Sequence, residues 1–277
     1  MTSSPPRPGS AGLSVGVVAG KSAVTDVWCA SPIKLLTPRM RGQSVWAYMA
    51  SFGGGMVAGD ETSVDLRLGP GARCFFTTQA STKIYRNPQR RPCGHRMTAH
   101  LESGSLLVLA PDPVQSFAGS RYAQNQEFQL ERGAGLVLLD WYSAGRAARG
   151  ERWSFQCLST RNDVAVEGKR CLLDSLLLDQ KHGRLDGSFR LGRFNSVAVI
   201  AIIGDPLAEE ANKAVMRVGA QPLSRRADLI FSAGPVKGGT ILRVAGARHE
   251  DVAGFIFKTL AFVGDLLGDD PWAGKLN

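Results

Sequence analysis

The densest run of side chains able to do chemistry lies in residues 52–86, where the glycine-rich FGGGMVAGD ends on Asp60 and Thr77-Thr78-Gln79-Ala80-Ser81-Thr82-Lys83 follows a Pro-Gly turn. Glycines so placed invite comparison with phosphate-binding loops. Gly54 and Gly59 have the spacing of a P-loop, but Asp60 and Glu61 stand where Lys and a hydroxyl belong, and two carboxylates repel phosphate. Gly53-x-Gly55-x-x-Ala58 imitates a dinucleotide fingerprint, yet an alternating strand follows it and no helix N-terminus faces a pyrophosphate. Both readings are excluded. Two remain for Asp60. It caps backbone N–H groups in a tight connection whose glycines take positive φ, or it is a carboxylate that handles a cation. The run from Thr77 to Lys83 is richer in hydroxyls and amides than a strand edge requires, and such groups need partners once buried.

Elsewhere the candidates are sparser. Asp140 closes an apolar strand and precedes the Arg-rich turn holding Arg146 and Glu151. The five cysteines are scattered with no Cys-x-x-Cys pair, which argues against a disulfide framework and a zinc knuckle. Only Cys93, two residues before His95, has company that could bind a soft metal. No Gly-x-Ser-x-Gly elbow, Ser-His-Asp order or His-x-x-x-His pair is present, so hydrolytic machinery is not visible. A net charge of +9 favours anionic partners, and residues 83–96 concentrate it, with five Lys and Arg, one His and no acid. Pro88, Pro92 and Gly94 argue against a regular element there.

The elements that position these residues follow from periodicity. Four segments alternate apolar residues around a glycine turn, at Gly71, Gly104, Gly133 and Gly168, spaced 33, 29 and 35 residues apart. Each reads as a β-hairpin, and the near-regular spacing predicts stacked layers. The expected fold is therefore mainly β, a β-solenoid-like or double-sheet body over residues 15–195, after a disordered tail at 1–14. A smaller α+β part over 196–277 is expected to pack on it. Its signals are the β-branched run 196–204, a helix after Asp205-Pro206, two short strands, and a second helix over 250–267. No run reaches the ~18 apolar residues of a membrane helix, and no signal peptide is evident, so a cytoplasmic protein is expected.

Several motifs in one order resemble the UreD (UreH) family of urease accessory proteins. They are Ser31-Pro-Ile-Lys-Leu-Leu36, the glycine segment ending in Asp60, and Thr77-Thr-Gln-Ala-Ser-Thr-Lys-Ile-Tyr-Arg86. Pro111-Asp-Pro-Val-Gln-Ser-Phe117 and Gly145-Arg146 with Gly150-Glu151 complete the set. The resemblance implies a non-catalytic, largely β scaffold that binds apo-urease on one side and UreF on the other. UreF in turn recruits the GTPase UreG, and an internal tunnel passes nickel, with no permanently bound cofactor. Matching motif positions makes Asp60, Thr77, Thr78, Asp140 and Asp174 candidates for that path. Lys83, Tyr85, Arg86, Arg146 and Glu151 are implied to order strands or meet partners. Carboxylates, hydroxyls and carbonyls hold such a cation weakly enough to release it. Two positions depart from the family pattern: Ala58 replaces a glycine, and Asp174-Ser175 stands where Glu-Arg is common.

Two rival functions are weaker. A carbohydrate-active β-solenoid could pair Asp60 with Asp112 or Asp140, but such enzymes are secreted. An anion- or RNA-binding module could use residues 83–96, but Tyr85 is the sole aromatic there on which a base could stack, so nucleic acid is not expected.

Overall fold

A computed structural model describes residues 6–39, 42–89, 91, 93–222, 224 and 226–273. The first strands are β1 (Ser10–Val18), β2 (Lys21–Cys29), β3 (Ile33–Leu36) and β4 (Val45–Ser51). Then come β5 (Glu61–Leu68), β6 (Arg73–Thr78), β7 (Thr82–Ile84), β8 (Cys93–Leu101), β9 (Leu106–Leu109), β10 (Val114–Ser116), β11 (Arg121–Leu130) and β12 (Gly135–Ser143). A hairpin, β13 (Cys157–Val166) and β14 (Lys169–Asp179), precedes the C-terminal part. That part comprises β15 (Ser196–Ile203), α1 (Ala208–Gly219), β16 (Leu229–Val236), β17 (Gly239–Gly246), α2 (His249–Thr259) and α3 (Val263–Leu267).

The strands form two sheets. The first has the order β14-β13-β11-β8-β5-β1-β2; the second runs β16-β17-β15-β12-β9-β6-β4-β3, with β7 and β10 attached to one side. Successive coils place one strand in each sheet and stack in parallel, β5 on β8 on β11 on β13, and β4 on β6 on β9 on β12. This is the β-solenoid-like, double-sheet body, but three of the expected hairpins are corrected. The turns at Gly71, Gly104 and Gly133 carry the chain from one sheet to the other. All three glycines have positive φ, and they stack, a Cβ at Gly104 coming 3.8 Å from the Gly71 Cα. A hairpin would leave both strands in one sheet with half their apolar residues uncovered, whereas an arch faces both apolar sides inward. The segment around Gly168 is a true antiparallel hairpin. Its central residues, Glu167 and Gly168, both have positive φ, as a type I′ turn requires.

The inter-sheet core is built from the predicted alternation: Val64, Leu66 and Leu68, then Met97, Ala99 and Leu101, face Cys74, Phe76, Leu107, Leu109, Leu136 and Leu138. The second sheet is buried on its other face too. There Phe75, Val108, Val137, Leu139, Ile200 and Ile202 meet Ala211 and Ala214 of α1, Val252 and Ile256 of α2, Val263 and Leu267 of α3, and Trp272. Two covered faces explain why β9 and β12 read as continuous apolar runs.

Three boundaries differ from expectation. Residues 1–5 of the expected tail lie outside the described residues, and from Ser10 the chain is strand, because Ala11, Leu13 and Val15 are buried in parallel pairing with β5. In the basic stretch, Arg90 and Pro92 lie outside the described residues. Its two ends are β7 and β8, and Gly94 sits within β8 between strands on both sides. The expected helix 250–267 breaks after Thr259. The Leu260 carbonyl accepts from the Trp272 indole at 3.0 Å and from Val263 N–H, so the chain restarts as α3.

Candidate functional site

The inner faces of the two sheets are not apolar throughout. In the first sheet the register aligns Thr62, His95, Gln124 and Thr160 across β5, β8, β11 and β13. The next inward row carries Gln126, Asn162 and Asp174 on β11, β13 and β14. Period-2 geometry puts these side chains on the face that carries Phe128 and Val164 deeper in the core. Opposite them the second sheet supplies Thr78, Asp140 and Tyr142. Polar rows on facing sheets cannot pack as hydrocarbon does, and a cavity of about 250 Å³ opens between them. Its wall runs from Gly54, Gly55, Ser81 and Lys83 past Thr78 and Asp112 to His95, Gln126 and Asp140.

Asp140 is the centre of this arrangement and is only 2% exposed. Its Oδ1 accepts from Gln124 Nε2 at 2.8 Å and Gln126 Nε2 at 2.9 Å, and its Oδ2 accepts from Asn162 Nδ2. Gln124 Oε1 is itself satisfied by the Tyr122 hydroxyl at 3.0 Å. Gln126 Oε1 and Asn162 Oδ1 are buried with no hydrogen-bond partner among the described residues. Burial raises the Asp140 pKa more than the hydrogen bonds from Asn162, Tyr142 and Gln124 lower it, and the Asp174 charge adds to the rise. The result is a carboxylate short of counter-charge, beside two carbonyl oxygens short of partners. A passing cation or ordered water would satisfy both.

A second cavity, of about 510 Å³, begins beside this cluster, with Tyr142, Asp174, Leu178, Val199, Phe231 and Arg243 in its wall. Asp174 is buried, and its Oδ1 accepts from the Arg243 guanidinium, which is more than half exposed. Arg243 of β17 thus brings a guanidinium to the acid from the other sheet. Among the described residues no three His, Cys, Asp or Glu side chains come together as a metal cage.

The structure thus turns Thr78 and Asp140 of the second sheet and Asp174 of the first into the space between the sheets, the first two on one cavity and Asp174 on the other. Thr77 and Asp60 stand elsewhere. Thr77 is fully buried on the opposite side of β6, and its hydroxyl donates to the Ala110 carbonyl at 2.8 Å. Asp60 does not line the cavity, and its Oδ2 accepts Val57 N–H at 2.8 Å, the capping role that the turn geometry favours. Cys93 is a poor partner for His95, since burial and the nearby Asp60 charge push its thiol up to about 12. Lys83 is exposed at the cavity rim, and its carbonyl accepts Met56 N–H at 2.8 Å, pinning the glycine loop to β7. Tyr85 packs edge-on against Phe117 at 5.5 Å, and Arg86 is exposed beside Gly119. Arg146 and Glu151 form a two-pronged ion pair, with the Arg146 guanidinium 4.5 Å over Phe117, which ties the turn after β12 to the end of β10. Gln124, Gln126 and Asn162 are the residues that sequence reasoning missed. Their signal is phase: in Tyr122-Ala-Gln124-Asn-Gln126-Glu-Phe128 the amides fall in step with buried aromatics.

Two stacked, mixed sheets with parallel centres, a helical cover and an internal polar cavity holding a buried, amide-bound carboxylate define a β-solenoid-like body. Comparison with known proteins gives the family. A family model described as "UreD urease accessory protein" matches residues 7–273. A urease accessory protein UreD of Sorangium cellulosum is 45% identical over 270 residues, covering 97% of this chain and 85% of that protein. One from Anaeromyxobacter is 39% identical over 267 residues, covering 96% and 89%. Urease accessory protein D of Arabidopsis thaliana is 30% identical over 286 residues, covering 92% and 97%. The chain belongs to the UreD family of urease accessory proteins.

Proposed function

We propose that this protein is a non-catalytic scaffold in urease maturation, which binds apo-urease and a UreF–UreG complex and passes Ni²⁺ through its interior. The observation that carries the reading is the Asp140 cluster: a carboxylate with its charge uncompensated, and two unpartnered amide oxygens, at the inner end of a polar cavity. Nickel would enter at the rim near Gly55 and Ser81, pass Thr78 and Asp112, rest briefly at Asp140 and Gln126, and leave through the second cavity by Asp174. Oxygen donors suit this traffic, because carboxylate and carbonyl ligands exchange readily where thiolate or imidazole cages would trap the ion. Arg243 must swing off Asp174 as the cation arrives, and its exposed guanidinium has room to do so. Asp60 would keep the rim in shape by holding the glycine turn, and Lys83, Arg86 and the basic stretch around them would meet the partners. Among the described residues no helix is long and apolar enough to cross a membrane; a cytoplasmic site of action is part of the proposal.

The test is Asp140→Ala in the full chain co-expressed with UreF, UreG and apo-urease. The expected outcome is a complex that still co-purifies but leaves urease with several-fold less nickel and correspondingly less activity. Unchanged nickel content in an intact complex would sink the path, and a chain that retains none of the three proteins would sink the scaffold.

A further inference from the structure

His95 brings an imidazole to a cavity whose other polar side chains are mainly oxygen-bearing. His95 is buried on the inner face of β8, and its register partner on β11 is Gln124, which donates to Asp140. The ring Nδ1 lies 2.9 Å from Thr62 Oγ1, and the Thr62 hydroxyl donates to the Gly94 carbonyl at 3.2 Å. A hydroxyl has one proton. With that proton on Gly94, the hydrogen between Thr62 and the ring must come from the ring. In that arrangement the imidazole carries its proton on Nδ1, and Nε2 keeps a lone pair on a residue that lines the cavity. Metal-binding histidines are prepared in this way: the far ring N–H is tied to an acceptor, which fixes the tautomer and the ring plane. Gln126, with its unpartnered Oε1, and Asp140 line the same cavity.

We infer that His95 Nε2 is a donor to the cation in transit and makes this cavity favour Ni²⁺ over Mg²⁺, with Thr62 as its positioning residue. The inference rests on the nickel path proposed above. Carboxylates and carbonyls suit Mg²⁺ and Ca²⁺ as well as they suit Ni²⁺, whereas an imidazole nitrogen suits Ni²⁺ and is foreign to Mg²⁺. A single imidazole among oxygens sorts the two without building a cage that would keep either.

The full chain, labelled with ¹⁵N-histidine and with side-chain amides and methyls observed, is titrated with NiCl₂ or MgCl₂ and followed by NMR. Without metal, the His95 ring should show its proton on Nδ1. Paramagnetic Ni²⁺ should broaden the His95 ring before those of His100, His182 and His249, and Mg²⁺ should leave it unmoved. Thr62→Val should raise the Ni²⁺ concentration needed by about tenfold, and His95→Gln should erase the Ni²⁺ preference at the Gln126 amide. A proton on Nε2, or an unperturbed His95 ring while the Gln126 amide and Thr78 methyl broaden, overturns the inference and leaves the path standing. Broadening at none of these groups overturns the path, and the inference with it. Should a variant fail to fold, judged by circular dichroism, the tautomer and titration of the unaltered chain decide alone.

Discussion

At the scale of single residues, the interior of this protein is a contest between burial and charge, and His95 and Asp140 of the cavity respond in opposite directions. Burial pulls His95 from 6.5 down to about 4 and pushes Asp140 up, each toward its neutral form. For His95 the unfolded chain takes up a proton as pH falls through 6.5, which the folded chain refuses until about 4. Its stabilising contribution is therefore complete above the upper value and is lost across that window, by at most on the order of 3 kcal/mol. His95→Gln should flatten the decline of thermal stability between those two pH values, and an unchanged slope would show that the ring is not held neutral. Asp140 has the opposite sign: its contribution is present below the ordinary carboxylate range and fades as pH rises through its folded value. Asp140 was legible in the sequence as an acid closing an apolar strand. Its amide partners were not, because Gln and Asn in an alternating strand look like solvent-facing residues until register places them opposite a carboxylate.

At the scale of elements, alternation and glycine turns showed where strands begin and end but not which sheet each joins. A period of two is the same for a hairpin and for an arch. What distinguishes them is burial of both strands' apolar faces against each other, a tertiary fact. The turn glycines carry the difference into energetics. Gly104 has positive φ but room for a methyl group, since a Cβ there would come no nearer than 3.8 Å to Gly71. Gly104→Ala should therefore cost only the backbone term, about 1–2 kcal/mol. Gly204 also has positive φ, and there a Cβ would collide with the Ala134 carbonyl oxygen. Gly204→Ala must move β12 or the turn into α1, and should lower the melting temperature well beyond the Gly104 variant. Equal shifts in differential scanning would mean that the close approach at Gly204 relaxes freely. The same logic locates Asp60. A glycine-rich turn that must hold its own shape uses its acid as a cap, and Val57 N–H takes the carboxylate.

At the scale of the whole molecule, the pattern changes after residue 195, in the part expected to pack on the β body. β15 extends the second sheet by pairing with β12 along its length. The helices that follow cover the outer apolar face of solenoid strands β6, β9 and β12. Phe75 of β6 sits between Trp46, at 5.1 Å, and Trp272, at 5.9 Å, so aromatic rings from the first third and the end of the chain meet in one cluster. The chain's end is also tied back by hydrogen bonds, Ser44 Oγ to the Leu267 carbonyl at 3.0 Å and Arg73 to the Leu266 carbonyl at 2.7 Å. A chain cut after residue 195 would expose the β12 edge together with that apolar face. Unpaired edges beside uncovered hydrocarbon are where sheets aggregate. The expected result is that fragment 1–195 is insoluble, that fragment 196–277 is unfolded alone, and that co-expression of the two recovers a soluble pair. Two separately soluble fragments, each with cooperative melting, would mean that the shared aromatic cluster and the β12–β15 pairing are dispensable. The proposed path past Asp140 would then have to be held by the solenoid without its cover, which the position of Arg243 and Val199 in the second cavity wall argues against, since both come from the C-terminal part.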